Sequence, residues 1–157
     1  MNNQPYTSPQ ADILVVDDTP ANLRMLFQVL SEQGYRVRLA TRGKQALEAA
    51  RAAVPDLILL DIMMPEMDGY EVCGRLKVDE RTRDVPVIFI SALDDKFDKV
   101  AAFSVGGVDY IPKPFQVEEV LARVKTHLSL RSLQKMLEQK NEQLQIRNSE
   151  LEAALTT

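Results

Sequence analysis

Two adjacent aspartates, Asp17 and Asp18, follow directly on the apolar run Ile13-Leu14-Val15-Val16. A third, Asp61, follows directly on a second such run, Leu57-Ile58-Leu59-Leu60. Ser91 ends the run from Val85 to Ile90, and Lys113 stands just beyond the run from Val108 to Ile111. Gathered at one place, these residues form a small chemical kit. Crowded carboxylates repel, and their ionised forms call for a cation. Hard oxygen donors suit Mg²⁺, which also binds phosphate. Asp18 and Asp61 can ligate it directly, with Asp17 beside them or acting through water. A carboxylate can attack phosphorus and form an acyl phosphate. Mg²⁺ would screen and orient the incoming charge. Lys113 would neutralise one phosphoryl oxygen and Ser91 would donate to another. Taken one at a time these residues are ordinary: aspartates at strand ends cap helices, and a single lysine is commonly solvated.

The elements between them must do the gathering. Four-residue apolar runs fit strands buried on both faces of a parallel sheet. After the first run, Thr19 suits a helix cap and Pro20 a first turn. Leu23, Leu26, Phe27 and Leu30 then recur at helical spacing, and Gly34 closes the segment. Val37 to Ala40 reads as a strand, and Lys44 to Ala53 as a helix ended by Pro55. Asp68-Gly69 marks a turn before a helix from Tyr70 to Lys77. Asp95 to Val105 reads as a helix closed by Gly106-Gly107, and a last helix starts near Val117. This alternation is that of an α/β fold, a parallel sheet with helices on both faces. Ligands of such sheets bind outside the carboxyl ends of the strands. Those ends carry Asp17, Asp18, Asp61, Ser91 and Lys113.

Bulk properties narrow the partners. The chain has 157 residues, 45% of them hydrophobic and 27% charged, which suits one packed domain with an extension. The net charge of −4 argues against broad nucleic-acid binding. A single cysteine, Cys73, excludes an intrachain disulfide and a cysteine metal cluster; it reads as a buried thiol in a helix. No apolar run reaches the ~18 residues a membrane span needs. Residues 1–10 are polar, lack a signal-peptide pattern and read as a disordered lead. The expected location is the cytoplasm.

Four motifs carry a resemblance: Ile-Leu-Val-Val-Asp-Asp at 13–18, Leu-Leu-Asp-Ile-Met-Met-Pro-Glu-Met-Asp-Gly at 59–69, Ile-Ser-Ala at 90–92, and Asp-Tyr-Ile-Pro-Lys-Pro-Phe at 109–115. Over roughly Asp12 to Leu130 the chain resembles the receiver domain of bacterial two-component response regulators. The resemblance implies a flavodoxin-like, doubly wound five-stranded parallel sheet of order 2-1-3-4-5. It implies that Asp61 is phosphorylated by a histidine kinase. Asp17 and Asp18 hold Mg²⁺ with Asp61, and Met63 adds its backbone carbonyl. Lys113 binds the phosphoryl group, Ser91 and Tyr110 form the switch, and the Lys113–Pro114 bond is cis. Phosphorylation then biases an existing equilibrium at the face of the fourth helix, fifth strand and fifth helix. In the family, Met63 and Leu93 flank the path of hydrolytic water. Both are apolar here, so self-dephosphorylation is expected to be slow or unexceptional. An unchanged half-life after replacing both with polar residues would sink that expectation.

The last helix runs on without Gly or Pro. Leu130, Leu137, Leu144 and Leu151 recur every seven residues, with Gln134, Asn141, Asn148 and Leu155 on the alternate positions. This heptad pattern is that of a parallel homodimeric coiled coil, with the asparagines fixing register. From Leu130 to Leu155 it would extend ~39 Å. A single solvated helix, or one folded back on the domain, is the alternative. The expected division is a lead at 1–10, a receiver at 11–129 and a coiled-coil extension at 130–157. Basic residues are too sparse for direct DNA binding. The lone His127 lacks a following acidic residue and reads as helix surface or the start of the seam.

The favoured function is a stoichiometric phosphoacceptor rather than an enzyme, controlling dimerisation or an output through its last helix. A docking or dimerisation adaptor, with phosphorylation secondary, is the alternative. An aspartyl-phosphate phosphatase would need an acid two residues after the nucleophile, where Met63 stands.

Overall fold

The computed structural model describes residues 10–92 and 99–156, with backbone alone at Lys99. The expected lead therefore lies, except for Gln10, outside the described residues, as do Leu93 and the start of the helix placed at Asp95.

Strands β1 (Asp12–Val16), β2 (Arg36–Ala40), β3 (Leu57–Asp61), β4 (Val87–Ala92) and β5 (Asp109–Lys113) alternate with helices α1 (Pro20–Glu32), α2 (Gly43–Ala52), α3 (Gly69–Val78), α4 (Lys99–Ser104) and α5 (Val117–Leu155). They form one parallel sheet of order β2-β1-β3-β4-β5. The fold is the flavodoxin-like one that the sequence motifs imply.

The continuous apolar runs follow from two-sided burial. Leu14, Val16, Ile58, Leu60, Val87 and Phe89 face one core, completed by Ala46 and Leu47 of α2, Val72 and Leu76 of α3, and Ala102 of α4. Their immediate neighbours Ile13, Val15, Leu57, Leu59, Ile88 and Ile90 face the other core, against Leu23, Leu26 and Leu30 of α1 and Val120 and Val124 of α5. A strand with both faces covered has no position for a solvated side chain, so alternation disappears from the sequence. Each such buried aliphatic chain contributes about 1.5–3 kcal/mol of transfer free energy.

Strand ends differ slightly from the sequence reading. β4 starts two residues late, because Pro86 cannot donate to the ladder and the Val85 N–H turns back to the Thr82 carbonyl at 3.1 Å. It also runs through Ser91 to Ala92, which pairs with Lys113 in β5. Thr19 occupies the N-cap of α1, but its side chain makes no cap bond.

Helix α5 is a single element of 39 residues, about 58 Å at the usual rise. It starts at the carboxyl edge of the sheet and runs to the opposite edge, where Lys135 lies 3.6 Å from Asp56, just before β3. The helix passes through 129–130 without a break. Beyond Lys135 its apolar side chains stand in solvent, Leu137 at 63% and Leu144 at 57% exposure.

Candidate functional site

Parallel pairing in register brings the strand ends level. Val16 pairs with Leu60, Asp61 with Ile90, and Ala92 with Lys113. Asp17 and Asp18, next after β1, therefore stand beside Asp61 at the end of β3, with Lys113 arriving from β5. One oxygen from each of Asp17, Asp18 and Asp61 can be chosen so that all lie within 4.8 Å of one another. Asp17 and Asp61 are buried, whereas Asp18 is exposed. The Lys113 Nζ reaches Asp17 Oδ2 and Asp61 Oδ1, each at 3.2 Å.

Asp17 has a second, local task. Its Oδ1 accepts the Thr19 N–H at 2.9 Å, and its Oδ2 accepts Asn22 Nδ2 at 3.1 Å. The carboxylate thus orders the turn into α1 that the threonine hydroxyl leaves uncapped. Asn22 was not singled out in the sequence. Its position five residues after Asp17, in the first turn of a helix, is the only signal it offers.

The loop after Asp61 is shaped by Gly69. Its N–H donates to the Ile62 carbonyl at 2.8 Å. A Cβ there would run into the Asp61 carbonyl and the Ile62 Cα. Asp68 caps α3, with Oδ1 accepting the Glu71 N–H at 2.9 Å. The helix start is thereby pressed against the backbone that carries Asp61. Met63, in the same loop, is 60% exposed. Ser91 is buried in β4, and its hydroxyl donates to the Ala92 carbonyl at 3.2 Å. Tyr110 pairs with Phe89 across the ladder and packs half-buried against the same core. Strand alternation puts Ser91 on that face too. The Lys113–Pro114 peptide is cis.

The electrostatics single out one carboxyl. Burial, and then the charge of Asp17, push Asp61 up from 3.8 to about 7, against the pull of Lys113. Lys113 shows the converse: burial would lower it, but Asp61 and Asp17 outweigh burial and hold it above the ordinary lysine range. Among the described residues, the one ammonium that pairs with these three carboxylates is that of Lys113, which leaves negative charge uncompensated. The site has hard oxygen donors and, with all three carboxylates ionised, two negative charges unmet, which is what a small divalent cation supplies.

The remaining expected positions lie along α5. Leu130, Leu137, Leu144 and Leu151 are 50–63% exposed, and Asn141 and Asn148 are exposed on the same helix. His127 is neither open helix surface nor free seam. Its Nε2 lies 3.0 Å from Asp109 Oδ2, in a cluster with Arg123 that the sequence reading missed.

The sequence pattern of the response regulator receiver domain matches residues 13–125. The chain belongs to this family. A curated relative, the "DNA-binding dual master transcriptional regulator RpaA" of Synechocystis sp., is 46% identical over 116 residues, which is 74% of this chain and 48% of that protein. This receiver thus spans about half the length of that relative. Among solved structures, one described as a "putative response regulator" from Chloroflexus aurantiacus superposes with a TM-score of 0.74 at 36% identity, covering 77% of this chain and 99% of the other. The receiver domain of a sensor histidine kinase from Pseudomonas aeruginosa, described with a magnesium ion coordinated in its active-site cleft, superposes at 0.71 with 31% identity, covering 77% and 99%. This protein is therefore the receiver domain of a two-component response regulator with a long C-terminal helix. Among the described residues no helix is long and apolar enough to cross a membrane.

Proposed function

We propose that this receiver accepts a phosphoryl group on Asp61 from a histidine kinase and passes the change to α5. The observation that carries the reading is the Asp61 carboxylate itself. It is buried, ends a strand, and has Lys113 at 3.2 Å and two further carboxylates beside it. An Asp61 oxygen attacks the phosphorus of a phosphohistidine. The new O–P bond forms as the P–N bond breaks, and the imidazole leaves with the electron pair and takes up a proton. Lys113 and the Ser91 hydroxyl take the phosphoryl oxygens. The negative charge they do not meet fits Mg²⁺, which Asp17, Asp18, Asp61 and the Met63 carbonyl would hold. When bound, the ion supplies charge neutralisation and alignment of the phosphoryl group. The magnesium described in the Pseudomonas receiver supports that assignment.

The modification is stoichiometric, so the domain turns over no external substrate. Ser91 and Tyr110, on one face of the sheet, form the switch: the hydroxyl moves to the phosphoryl group and the ring follows. We assign residues 11–129 to the receiver unit and 130–157 to a parallel coiled coil of two copies. Leu130, Leu137, Leu144 and Leu151 form its seam, and Asn141 and Asn148 set its register. The protein acts in the cytoplasm and makes no direct DNA contact through this segment. The exposed seam alone favours a second reading, an adaptor that docks or dimerises with phosphorylation secondary.

Incubation with Mg²⁺ and phosphoramidate tests both. The expected result is one phosphoryl mass on Asp61, absent in Asp61→Asn and after chelation, with a change in the monomer–dimer equilibrium. No mass gain overturns the phosphoacceptor reading. A gain with no change in assembly favours the adaptor.

A further inference from the structure

One polar cluster outside the Asp61 site joins the two elements that a signal must cross. Strand alternation turns Ile111 toward α5 and Tyr110 toward the opposite core. Asp109, two residues before Ile111, shares its side. The Asp109 carboxylate receives three donors. Oδ1 accepts Arg123 Nη1 at 2.7 Å and the Tyr110 N–H at 2.8 Å. Oδ2 pairs with His127 Nε2 at 3.0 Å. Arg123 is itself oriented by Glu119, whose Oε1 accepts its Nε at 3.2 Å. One carboxylate thus binds the start of β5 to two successive turns of α5.

Apart from the half-exposed Lys135–Asp56 pair at the far edge, the remaining attachment of α5 to the sheet among the described residues is of another kind. Val120 and Val124 are fully buried aliphatic chains, and such contacts are non-directional. They resist separation of helix and sheet but allow small sliding. A charged, multiply bonded carboxylate fixes position and angle. Its strand is also the one that carries the switch tyrosine and Lys113. Displacement of Tyr110 shifts the peptide that Asp109 itself accepts from. His127 lies seven residues before Gln134 and three before Leu130, on the polar row of the proposed seam, yet its ring is drawn to Asp109.

We propose that Asp109 is the positioning residue that couples the Asp61 site to α5, holding β5 to the helix through Arg123 and His127. This rests on the phosphoacceptor reading of Asp61. The carboxyl has the charge for it. Burial would raise it, but His127, Arg123 and the Tyr110 N–H outweigh burial and hold it below the ordinary range.

The test uses the full chain as wild type and as Asp109→Asn, with His127→Gln as a second variant that removes one bond only. Each is treated with Mg²⁺ and phosphoramidate, and read both by mass at Asp61 and by amide hydrogen exchange over 117–135. In the wild type, phosphorylation should change exchange in α5 by about fivefold or more, the lower end of ordinary coupling between sites. Asp109→Asn should gain the phosphoryl group normally and lose the α5 response. His127→Gln should lose part of it. A full α5 response in Asp109→Asn, or a phosphorylated wild type with a silent α5, overturns the proposal. If no mass appears at Asp61, the functional reading fails. The coupling is then judged with Tyr110→Ala, which disturbs β5 without phosphorylation. Its effect on α5 exchange must be present with Asp109 intact and absent when it is combined with Asp109→Asn; equal effects overturn the proposal.

Discussion

Replacing Asp61 with asparagine should make the metal-free protein more stable, and increasingly so as pH rises. Burial and Asp17 lift the Asp61 carboxyl from 3.8 to about 7. Between those values the folded state holds a proton that the unfolded chain has released. Stability therefore falls as pH rises from about 4 to about 7 and stays low above. Each unit corresponds to about 1.4 kcal/mol, so the full displacement opposes folding by about 4 kcal/mol at pH 8. Asparagine removes the charge but also the 3.2 Å contact with Lys113. The value of about 7 already includes that contact, so its loss takes back nothing further; screening and relaxation around the charge reduce the figure to about 2 kcal/mol. The assay is urea unfolding of wild type and Asp61→Asn in chelator at pH 5 and pH 8. The variant should exceed wild type by about 1 kcal/mol or less at pH 5 and by about 2 at pH 8. Mg²⁺ at ten times its Kd should return about 1.4 kcal/mol to the wild type and less to the variant. A gain that is absent, or equal at both pH values, would refute the electrostatic account of the site.

Three further outcomes are expected. Gly69→Ala pushes a methyl group into the Asp61 carbonyl and should cost about 1–3 kcal/mol, read as a lower urea midpoint together with slower phosphorylation. The depressed Asp109 carboxyl contributes stability present above about pH 4 and lost as acid protonates it; Asp109→Asn should be about 1 kcal/mol less stable at pH 7 in urea unfolding, and the difference should shrink as the pH is lowered through the carboxyl's folded range. Leu144 is 57% exposed in the single chain, so Leu144→Ala should leave receiver unfolding unchanged while raising the dimer Kd tenfold or more in sedimentation. A wild type that stays monomeric at high concentration would contradict the seam.

How much of this was legible in the sequence depends on the kind of interaction. Two-sided burial writes itself plainly, as Leu57 to Leu60 illustrates, because every position must be apolar. Register between parallel strands then aligned Asp17, Asp61 and Lys113 with no further information. The start of β4 was less legible. Val85 is as apolar as its neighbours and only Pro86 separates it from the ladder. Asn22 and Asp109 were illegible for a different reason. A short polar residue takes its meaning from partners it meets only in the fold: Asp17 for Asn22, and for Asp109 Arg123 and His127, fourteen and eighteen residues beyond it. The direction of His127 also escaped, since heptad spacing specifies a row on the helix and not what that row meets.

The length of α5 limits how the domain can communicate. From Lys135, the last tie to the sheet base, the helix runs another ~30 Å to Leu155. Physiological salt extinguishes an electric field over about 8 Å. Whatever stands at the far end is several screening lengths from any charge added at Asp61. It cannot sense that charge as a field. On the proposed reading of Asp61, it can sense only a rigid shaft that has tilted, turned or changed its pairing, and the tail would then act as a mechanical linkage.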